Sequence, residues 1–503
     1  MKFTIAEQLE VVAGAFPDRI AIEIVGGRSY TYRELVARMY ALAAALGEVP
    51  PGRNGRMVAV LLPNGVDSLL SYLACQLCGV ATVPINTRLA PAEMGYILRD
   101  SDATVLLSGG DQIERARSIG SEYGPRCLDC DAVPDGVAAD FKRTPLKGSD
   151  ISVVFYTSGT TGFPKGAAVT MDCWVERLMW WGWEFDVASH DVMLVPGPTF
   201  HMSFCSLSLC ALYRGARLRI VERFDVAASY DELRERCSWS FLVPTMSAMM
   251  LELWRERGRE PLLGPRSILS SGAALSPSTL EDMMEMFPNA RIFEAYGWTE
   301  GGWVTSEIKR RGTIIPHSVG WSAFGCEVVV LDGNGEPCVT GIVGEVAART
   351  PIPFSHYLNN PEATRKAWAG HYQKSGDVGV FLDDGRLKLL DRRNDMIVTG
   401  GENVYSSEVE RVLHDHPDVL ECAVVGQPDP HWGNAVVGVV VPRPGKSIDA
   451  DKLRAHCRNE LAGYKCPKSF IVIDALPRNS MGKVEKFRVR ERVAEAAQEK
   501  KSA

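Results

Sequence analysis

Short apolar runs alternate along this chain with longer stretches in which apolar positions recur every three or four residues. The apolar runs include residues 57–63 (MVAVLLP), 81–86 (ATVPIN) and 240–245 (SFLVPT), whereas residues 67–80 and 246–257 have helical spacing. Apolar runs of this length are typical of strands buried on both faces, and strands that alternate with helices favour parallel pairing. The pattern predicts an α/β fold of stacked layers with parallel sheets.

The pattern changes between residues 318 and 391, where short strand-like segments are separated by turns, as in CEVVVLDGNGE and DDGRLKLLD. A charged stretch, DRRND at residues 391–395, follows between apolar segments. We interpret the first region as a β-rich subdomain and the charged stretch as the place of a hinge. The predicted organisation is a large N-terminal domain at 1–391, a hinge at 392–395 and a small α+β C-terminal domain at 396–503.

Two local patterns within the predicted C-terminal domain indicate helices. Ser407 and Glu410 have the spacing of a capping box before SEVERVLHD, which predicts that a helix begins there. The last fifteen residues alternate charges of both signs, which predicts an exposed helix that frays at its end.

Length and charge narrow the class of protein. The chain has 503 residues, 46% of them apolar, which exceeds one ordinary domain and suffices for a large core. Its formal net charge of -7 offers no excess of lysine and arginine, which argues against a nucleic-acid partner. The N-terminal residues lack the apolar core of a signal peptide, and no apolar run approaches the roughly 20 residues that span a bilayer. We expect a soluble cytoplasmic protein without stable membrane insertion.

Thirteen cysteines are scattered along the chain, mostly among apolar residues. This distribution predicts reduced core thiols rather than a disulfide framework. Two CxxC pairs, Cys75 with Cys78 and Cys127 with Cys130, leave a zinc site as the alternative. The first pair falls within a helical pattern whose spacing directs both thiols to a packed face, so the structural interpretation is favoured.

The segment YTSGTTGFPKG, residues 156–166, carries the strongest chemical signal and follows an apolar run at 151–156. Its glycines let the backbone turn close to a ligand, its hydroxyls are donors for phosphate oxygens, and Lys165 adds a positive charge. The spacing differs from a Walker A motif, because Gly166 occupies the position of the metal-binding Ser or Thr. The segment predicts a phosphate-binding loop, and a polar surface turn is the alternative that it leaves open when taken alone.

If that loop holds a nucleotide, four further segments have residues suited to contact it: SSGAALS (270–276), EAYGWTE (294–300), SGDVG (375–379) and PRNSMGKVEK (477–486). Tyr296 is suited to stack on a purine, Glu300 is a hard oxygen ligand for Mg²⁺, and the two oxygens of Asp377 match the two hydroxyls of a ribose. Each feature alone also fits a structural role as a strand-end turn, a core tyrosine, an exposed carboxylate or a surface lysine.

Taken together, these segments resemble the adenylate-forming superfamily, which includes acyl-CoA synthetases, firefly luciferase and peptide-synthetase adenylation domains. The motifs YTSGTTGFPKG, SSGAALS, EAYGWTE, SGDVG, DRRNDMIVTGGEN and PRNSMGKVEK occur in family order and with family-like spacing over nearly the whole chain. The resemblance implies a large N-terminal domain of two α/β subdomains and a β-barrel-like subdomain, followed by a small mobile α+β lid. It also implies ATP, Mg²⁺ and coenzyme A as cofactors.

The resemblance implies that a carboxylate attacks the α-phosphorus of ATP to give acyl-AMP and pyrophosphate, after which the lid rotates and the CoA thiol takes the acyl group. The implied catalytic residues are Lys483, Thr157, His201 and Glu300, the last of which would also bind the metal. The implied nucleotide contacts are Thr157, Ser158, Gly159, Thr160, Thr161, Gly162, Lys165, Gly272, Ala273, Ala274, Glu294, Ala295, Tyr296, Gly297, Thr299, Asp377 and Arg392. Gly400, Gly401 and Trp432 would border the pantetheine arm of CoA. Asn394 stands where the family usually has Asp or Lys at the hinge.

The acid itself is less sharply predicted than the reaction. The region that lines the acyl pocket in the family is rich in aromatic residues here, namely Trp180, Trp181, Trp183, Phe200, Phe204, Trp298 and Trp303. We expect a medium-chain or aromatic carboxylic acid, although these rings could also be core. The acceptor alternatives are CoA, a carrier-protein thiol on a free-standing adenylation enzyme, and no acceptor at all in a non-catalytic AMP-binding sensor. A homodimer is left open.

Overall fold

The computed structural model describes residues 3–136, 141–144, 147–157, 164–273, 275–392, 395–399, 402–429, 432–461, 463–478 and 484–502. The chain divides into two compact units: the first comprises Met1–Val328 and Ala348–Ser375, and the second comprises Val329–Ala347 and Gly376–Ala503. The predicted hinge at 392–395 falls in the second unit, with residues 393 and 394 outside the described residues, and it stays a prediction.

The helices of the described residues are α1 (Ile5–Ala15), α2 (Tyr32–Leu46), α3 (Val66–Cys78), α4 (Pro91–Ser101), α5 (Ile113–Tyr123), α6 (Met171–Glu184), α7 (Met202–Tyr213), α8 (Val226–Glu235), α9 (Pro244–Glu256), α10 (Pro277–Met286), α11 (Pro361–Lys366), α12 (Ser406–His414), α13 (Ala450–Glu460) and α14 (Lys486–Ser502). Short 3₁₀ helices lie at Gly110–Gln112 and Cys130–Ala132.

The strands are β1 (Ile20–Ile24), β2 (Ser29–Thr31), β3 (Met57–Leu61), β4 (Ala81–Pro84), β5 (Val105–Ser108), β6 (Arg126–Asp129), β7 (Ile151–Thr157), β8 (Lys165–Thr170), β9 (Val192–Val195), β10 (Arg217–Ile220), β11 (Trp239–Leu242), β12 (Ser267–Ser270), β13 (Arg291–Trp298), β14 (Gly302–Lys309), β15 (Ser318–Ser322), β16 (Glu327–Leu331), β17 (Gly344–Arg349), β18 (His356–Tyr357), β19 (Trp368–Ala369), β20 (Tyr372–Phe381), β21 (Leu387–Arg392), β22 (Ile397–Thr399), β23 (Glu402–Val404), β24 (Val419–Asp429), β25 (Gly433–Pro442) and β26 (Ser469–Val472).

The first unit contains two sheets that alternate with helices in sequence. One sheet has the order β18-β8-β7-β4-β3-β5-β6, and the second contains the run β15-β14-β13-β12-β11-β9-β10-β1-β2. Strand β3 pairs in parallel with β4 and β5, and β12 pairs in parallel with β11 and β13. All five residues of β3 are buried, as expected for a central strand of a covered parallel sheet. The alternation of strands and helices that the apolar pattern predicts is confirmed.

The second unit contains the strand run β16-β17-β20-β21 and a three-stranded sheet in the order β24-β25-β26. Val424, Val436 and Val440 on β24 and β25 pack in a cluster with Val409 of α12 and Leu453 of α13. A second cluster lies against α14 and includes its buried valines at 489 and 493. The predicted C-terminal helix is therefore anchored by apolar contacts along its first turns.

The predicted capping box at the start of α12 is wrong. The N-cap residue is Tyr405, which makes no side-chain capping bond. Ser407 instead donates its hydroxyl to the carbonyl oxygen of Leu390, and Glu410 accepts the N–H of Val424 at 2.7 Å. Both polar side chains are taken by partners distant in sequence, which the local spacing does not reveal.

Helix α3 bears out the structural interpretation of its cysteines. Cys75 and Cys78 are buried in the core, and burial raises the pKa of each thiol to about 12. All thirteen cysteines are unpaired thiols. Within the described residues, none of the helices is long and apolar enough to pass through a membrane.

Candidate functional site

The strands on either side of the predicted phosphate loop form an antiparallel pair. Thr157 at the end of β7 lies opposite Lys165 at the start of β8. The loop itself, with the predicted contacts Ser158, Gly159, Thr160, Thr161 and Gly162, lies outside the described residues. What the structure provides is the base of the loop, where a hydroxyl and an ammonium group stand on adjacent strands.

The carboxylate of Glu300 lies beside this base. Its Oε1 accepts hydrogen bonds from the Tyr357 hydroxyl at 2.6 Å and from Thr157 Oγ1 at 3.3 Å, and Glu300 is only 9% exposed. The ammonium of Lys165 is 4.6 Å from the centroid of the Tyr357 ring. Burial, and then the charge of Glu300, raise the pKa of the Tyr357 phenol, so this hydroxyl stays a donor. The structure thus brings together three predicted residues, Thr157, Lys165 and Glu300, around a tyrosine.

Within the described part of the chain, one oxygen of the Glu300 carboxylate carries both of its hydrogen bonds. Glu300 Oε2 has no hydrogen-bond or ionic partner among the described residues, while Oε1 is fixed by two hydroxyls. A hard carboxylate oxygen of this kind fits Mg²⁺, which takes one or two protein carboxylates and fills its remaining positions with water and phosphate oxygens. The residues present therefore fit the metal that the sequence predicts.

A fully buried arginine holds the turn that carries Glu300. Arg177 on α6 donates its Nε to the carbonyl of Ile352 at 3.0 Å, Nη1 to that of Thr299 at 3.0 Å and Nη2 to that of Glu300 at 2.8 Å. The Glu300 carbonyl also accepts the N–H of Phe354 at 2.7 Å. Burial lowers the pKa of Arg177 to about 10, and no carboxylate within the described residues pairs with it. A cation without a carboxylate partner thus fixes the backbone on both sides of the metal-ligand candidate.

Two of the predicted nucleotide-binding segments meet where β12 ends beside β13. Ser270, the last residue of β12, pairs with Glu294 of β13, and Gly272 follows with a φ of +98°, which favours glycine. Glu294 is buried, accepts the N–H of Leu275 at 3.1 Å and forms an ion pair with Lys309 at 3.0 Å. Burial raises the pKa of Glu294, and Lys309 acts in the opposite direction. This carboxylate links the two strand ends, and its contact with the nucleotide stays a prediction.

The remaining residues of this segment form a tight hairpin with β14. Tyr296 is buried, and its ring centroid is 5.9 Å from that of Trp298. A Cβ at Gly297 would lie 1.9 Å from the carbonyl oxygen of Gly302, so only glycine fits there. The pairing register shifts between Tyr296 and Gly297, which turns the chain towards Thr299. Ala295 is buried within the same strand, Ala273 is exposed after β12, and Ala274 lies outside the described residues.

His201 caps the start of α7. Its Nδ1 accepts the N–H of Ser203 at 3.4 Å, and burial lowers the pKa of the imidazole to about 4. The ring is therefore neutral at neutral pH, and because Nδ1 is the acceptor, Nε2 carries the proton. A neutral donor of this kind is suited to hydrogen-bond a carboxylate without titrating during catalysis.

Part of the predicted aromatic wall forms a cleft at the end of α6. The cleft is lined by Trp180, Trp181, Glu184, Phe185, Trp303 and Phe324, among others. The rings of Trp181 and Trp303 lie 4.1 Å apart between centroids. Trp183 is 76% exposed, so it belongs neither to this cleft nor to the core. Helical spacing explains the difference, because Trp183 points away from the face that carries 180, 181 and 184.

The second unit carries the predicted ribose and CoA residues. Asp377 on β20 lies opposite Arg392 on β21, so the two residues that the sequence associates are neighbours in the strand register. Trp432 is 39% exposed, and the ammonium of Lys468 lies 4.9 Å from its ring centroid. The predicted residues Gly400, Gly401 and Lys483 lie outside the described residues, and their roles stay predictions.

Sequence reasoning missed Arg177 and Tyr357. Arg177 stands in VERLMWWGW, where one cation in a helix with several apolar residues is ordinarily assigned to the solvent-facing side. Tyr357 stands in FSHYLNN, which differs from the family's usual pattern by a histidine where glycine is common. The sequence feature that could have indicated Tyr357 is its position in that motif. For Arg177, the corresponding feature is the apolar residues on both sides of it.

Comparisons with known proteins agree with this geometry. A sequence profile described as AMP-binding enzyme matches residues 9–358, and one described as AMP-binding enzyme C-terminal domain matches residues 408–483. The chain is 35% identical over 479 residues to a feruloyl-CoA synthase from an Amycolatopsis species, which covers 93% of this chain and 94% of that protein. It is 30% identical to the 2-succinylbenzoate–CoA ligase of Bacillus velezensis, over 94% of this chain and 95% of that one.

Solved structures give the same answer for the fold. The o-succinylbenzoate coenzyme A synthetase of Bacillus subtilis, in complex with ATP and magnesium ion, is similar with a TM-score of 0.85 and 29% identity. The match covers 95% of this chain and 98% of that chain. The predicted α/β fold, with a large N-terminal domain and a small C-terminal domain, is confirmed.

Proposed function

Because the chain belongs to the AMP-binding enzyme family and is an AMP-forming acid–thiol ligase, we propose that it activates an aromatic or medium-chain carboxylic acid as acyl-AMP and transfers the acyl group to coenzyme A. The observation that carries this proposal is the Glu300 carboxylate at the base of the phosphate loop, next to Lys165. One of its oxygens is held by Thr157 and Tyr357, and the other has no partner among the described residues. Phosphoryl chemistry needs positioning and charge neutralisation more than a protein nucleophile, and this arrangement supplies both.

Each residue at the base of the loop has a distinct task in the adenylation step. Bound Mg²⁺ would neutralise phosphate oxygens and would be held through Glu300. Thr157 orients the carboxylate of Glu300 and ends the strand that enters the loop. Lys165 offers positive charge to the departing pyrophosphate. His201, as a neutral Nε2–H donor, would hold the incoming carboxylate. Lys483 would bridge that carboxylate and the α-phosphate.

The choice of CoA as the acceptor is supported by the second unit. Trp432 presents an aromatic surface that is partly open to solvent, and Lys468 lies against its ring. A flat apolar surface beside a cation suits a ligand with a thin pantetheine arm and phosphate groups. A docking patch for a carrier protein would be mostly apolar. The names of the curated relatives, which are CoA ligases, point the same way.

An aromatic acid is supported by the names of two relatives, a feruloyl-CoA synthase and a 2-succinylbenzoate–CoA ligase. We also propose a cytoplasmic location, because ATP and CoA are multiply charged and do not cross an apolar bilayer unaided.

The decisive experiment measures acid-dependent pyrophosphate release from ATP over a panel of short, medium, long and aromatic acids, with and without CoA. The proposal expects release with a subset of aromatic or medium-chain acids, and a thioester product only when CoA is added. Acid-dependent release without a CoA thioester would instead favour carrier-protein loading. If no acid in the panel supports release, the proposed function is wrong.

A further inference from the structure

The loop at residues 196–200 connects β9 to α7 and leads directly to His201. Three side chains from another part of the first unit hydrogen-bond to this loop: Asn64, which precedes α3, and Ser68 and Tyr72 within α3. They are spaced by four residues, which places them on one side of the helix. We call Asn64, Ser68 and Tyr72 the anchor residues.

Every polar group of Thr199 is bonded to the anchor residues. Its N–H donates to Asn64 Oδ1 at 2.7 Å, and its carbonyl accepts the Tyr72 hydroxyl at 2.8 Å. The Thr199 hydroxyl also donates to Asn64 Oδ1, at 3.0 Å, so it has no further hydrogen to give and accepts from the Ser68 hydroxyl at 2.7 Å. Thr199, Ser68 and Tyr72 are all buried. The orientation of Thr199, two residues before His201, is therefore fixed by four hydrogen bonds.

Asn64 also holds the loop at Gly197. Its Nδ2 donates to the carbonyl of Gly197 at 2.7 Å and to that of Val221 at 3.3 Å. Because a carbonyl only accepts and a backbone N–H only donates, these contacts allow a single orientation of the amide. A Cβ at Gly197 would lie 2.0 Å from the Phe204 ring of α7. The loop is thus fixed by hydrogen bonds to Asn64 and by close packing against the helix that His201 caps.

The backbone of this loop determines where the imidazole of His201 lies. The N–H of His201 donates to the carbonyl of Pro198 at 3.1 Å, and its carbonyl accepts the N–H of Cys205 at 3.0 Å. The ring itself makes one hydrogen bond among the described residues, with the N–H of Ser203 at 3.4 Å, which is long. The position of the ring therefore depends more on the backbone than on its own side-chain contact.

Building on the proposed function, in which His201 holds the carboxylate of the acid, we propose that Asn64, Ser68 and Tyr72 are positioning residues of the adenylation step. They act through Thr199 and the 196–200 loop, and none of them is a predicted nucleotide or metal contact. A fully satisfied polar network of this kind specifies one geometry, and a small displacement of a group that orients a substrate lowers the rate by up to about 100-fold. The effect of the anchor residues is expected on use of the acid and not on use of ATP.

The first test compares Tyr72→Phe and Asn64→Asp with the wild type, with the acid that gives the fastest pyrophosphate release in the panel. Tyr72→Phe removes one neutral hydrogen bond, so kcat/KM for the acid should fall about 3- to 10-fold. Asn64→Asp places a carboxylate oxygen against the carbonyls of Gly197 and Val221, and the fall should be about 10- to 100-fold. The KM for ATP should not change, and supplied acyl-AMP should still give the thioester with CoA, because that step does not start from a free carboxylate.

Two substitutions elsewhere in the first unit are matched controls. Tyr32 is also buried, and its hydroxyl donates at 2.7 Å to a backbone carbonyl beyond the other end of α7. The Asn54 amide, like that of Asn64, donates to two backbone carbonyls, at 2.9 and 3.2 Å. Tyr32→Phe and Asn54→Asp remove equivalent hydrogen bonds and should leave kcat/KM for the acid unchanged. Denaturant unfolding compares the stability of each variant with that of its control, and Tyr72→Phe serves if Asn64→Asp does not fold.

The second test asks whether the anchor residues act through His201. Tyr72→Phe is measured in the wild type and again in His201→Ala. If Tyr72 acts by positioning His201, Tyr72→Phe lowers kcat/KM for the acid in the wild type but changes it less than about 2-fold in His201→Ala. A general effect on the structure would instead lower both by the same factor.

The outcomes separate the two hypotheses. Equal reductions by Tyr72→Phe in both backgrounds, equal losses in the anchor variants and their controls, or loss of acyl-AMP conversion together with adenylation would each overturn the positioning role while the ligase function stands. Wild-type rates of pyrophosphate release in His201→Ala would overturn it as well. Absence of acid-dependent pyrophosphate release from the wild-type enzyme with every acid of the panel would instead count against the proposed function.

Discussion

Replacement of Arg177 by methionine tests whether a buried cation holds the turn that carries Glu300. Methionine retains most of the apolar stem but removes three hydrogen bonds to the carbonyls of Ile352, Thr299 and Glu300. Hydrogen bonds from a charged donor contribute about 1.5 to 3 kcal/mol each, so the three together supply about 5 to 9 kcal/mol.

Burial of the cation works against this gain. The lowering of the Arg177 pKa from its ordinary 12.5 to about 10 corresponds to about 3 kcal/mol of desolvation cost. Arg177→Met should therefore reduce the free energy of unfolding by a net amount of about 2 to 6 kcal/mol, measured by denaturant unfolding. The hydrogen bonds outweigh the desolvation because three of them are lost together, whereas only the Glu300 carbonyl keeps a second donor, the N–H of Phe354.

The functional consequence is tested with Arg177→Lys, which keeps the charge but has a single nitrogen and cannot direct three bonds along one backbone turn. We expect the Mg²⁺ concentration that gives half-maximal pyrophosphate release to rise about 10-fold, because loss of about 1.4 kcal/mol of positioning energy changes an equilibrium by that factor. The assay varies Mg²⁺ at fixed ATP and a saturating acid.

Arg219 provides the matched control. It is also a buried arginine, paired with Glu232 and Glu23 on a different part of the first unit. Arg219→Met should cost about 3 to 5 kcal/mol of stability, because it leaves a carboxylate buried and unpaired, yet it should not change the Mg²⁺ dependence. The positioning role of Arg177 is wrong if the arginine variants at 177 and 219 shift the Mg²⁺ dependence equally. It is also wrong if Arg177→Met has the same free energy of unfolding as the wild type.

Three further predictions address the other parts of the site. Tyr357→Phe removes the 2.6 Å hydrogen bond to Glu300 and should weaken the apparent Mg²⁺ affinity about 5- to 10-fold, as seen in the same titration, with unchanged affinity counting against it. The pKa of His201 is about 4 in the folded protein and near 6.5 in the unfolded chain, so between these values the unfolded state binds the additional proton. The free energy of unfolding should therefore fall by at most about 3 kcal/mol as the pH decreases from about 6.5 to about 4. Urea unfolding measures this pH dependence, and His201→Gln should reduce it. Lys483→Ala should abolish acid-dependent ATP–pyrophosphate exchange, while supplied acyl-AMP is still converted to the thioester. Trp432→Ala should raise the KM for CoA and leave the exchange intact. Equal loss of both steps in either variant would refute this division of roles.

The elements of this fold follow from apolar patterning because their stability comes from burial. The run at 57–63 contains strand β3, which is buried throughout, and the helical spacing at 67–80 covers all but the first residue of α3, whose cysteines face the core. The predicted capping box at Ser407 is wrong because tertiary contacts replace the local ones. Its hydroxyl has a better partner in Leu390, which lies distant in sequence, and local spacing carries no information about such a contact.

Site residues that lie within a sequence motif could be predicted, whereas residues that only the fold brings to the site could not. Thr157, Lys165 and Glu300 belong to recognisable segments, and the structure places them together. Tyr357 and Arg177 reach the same point from other segments, and their importance rests on hydrogen bonds that depend on three-dimensional approach.

Helix α6 joins the core to the site. Arg177 and Trp181 are four residues apart, so one helical face carries both the group that holds the Glu300 turn and a ring that lies 4.1 Å from that of Trp303. Arg177 and Trp181 therefore fix the chain before and after Glu300, the first through backbone carbonyls and the second through ring packing. Because the position of Glu300 depends on both contacts, substitutions on this face of α6 should impair adenylation although none of its residues belongs to a predicted nucleotide contact.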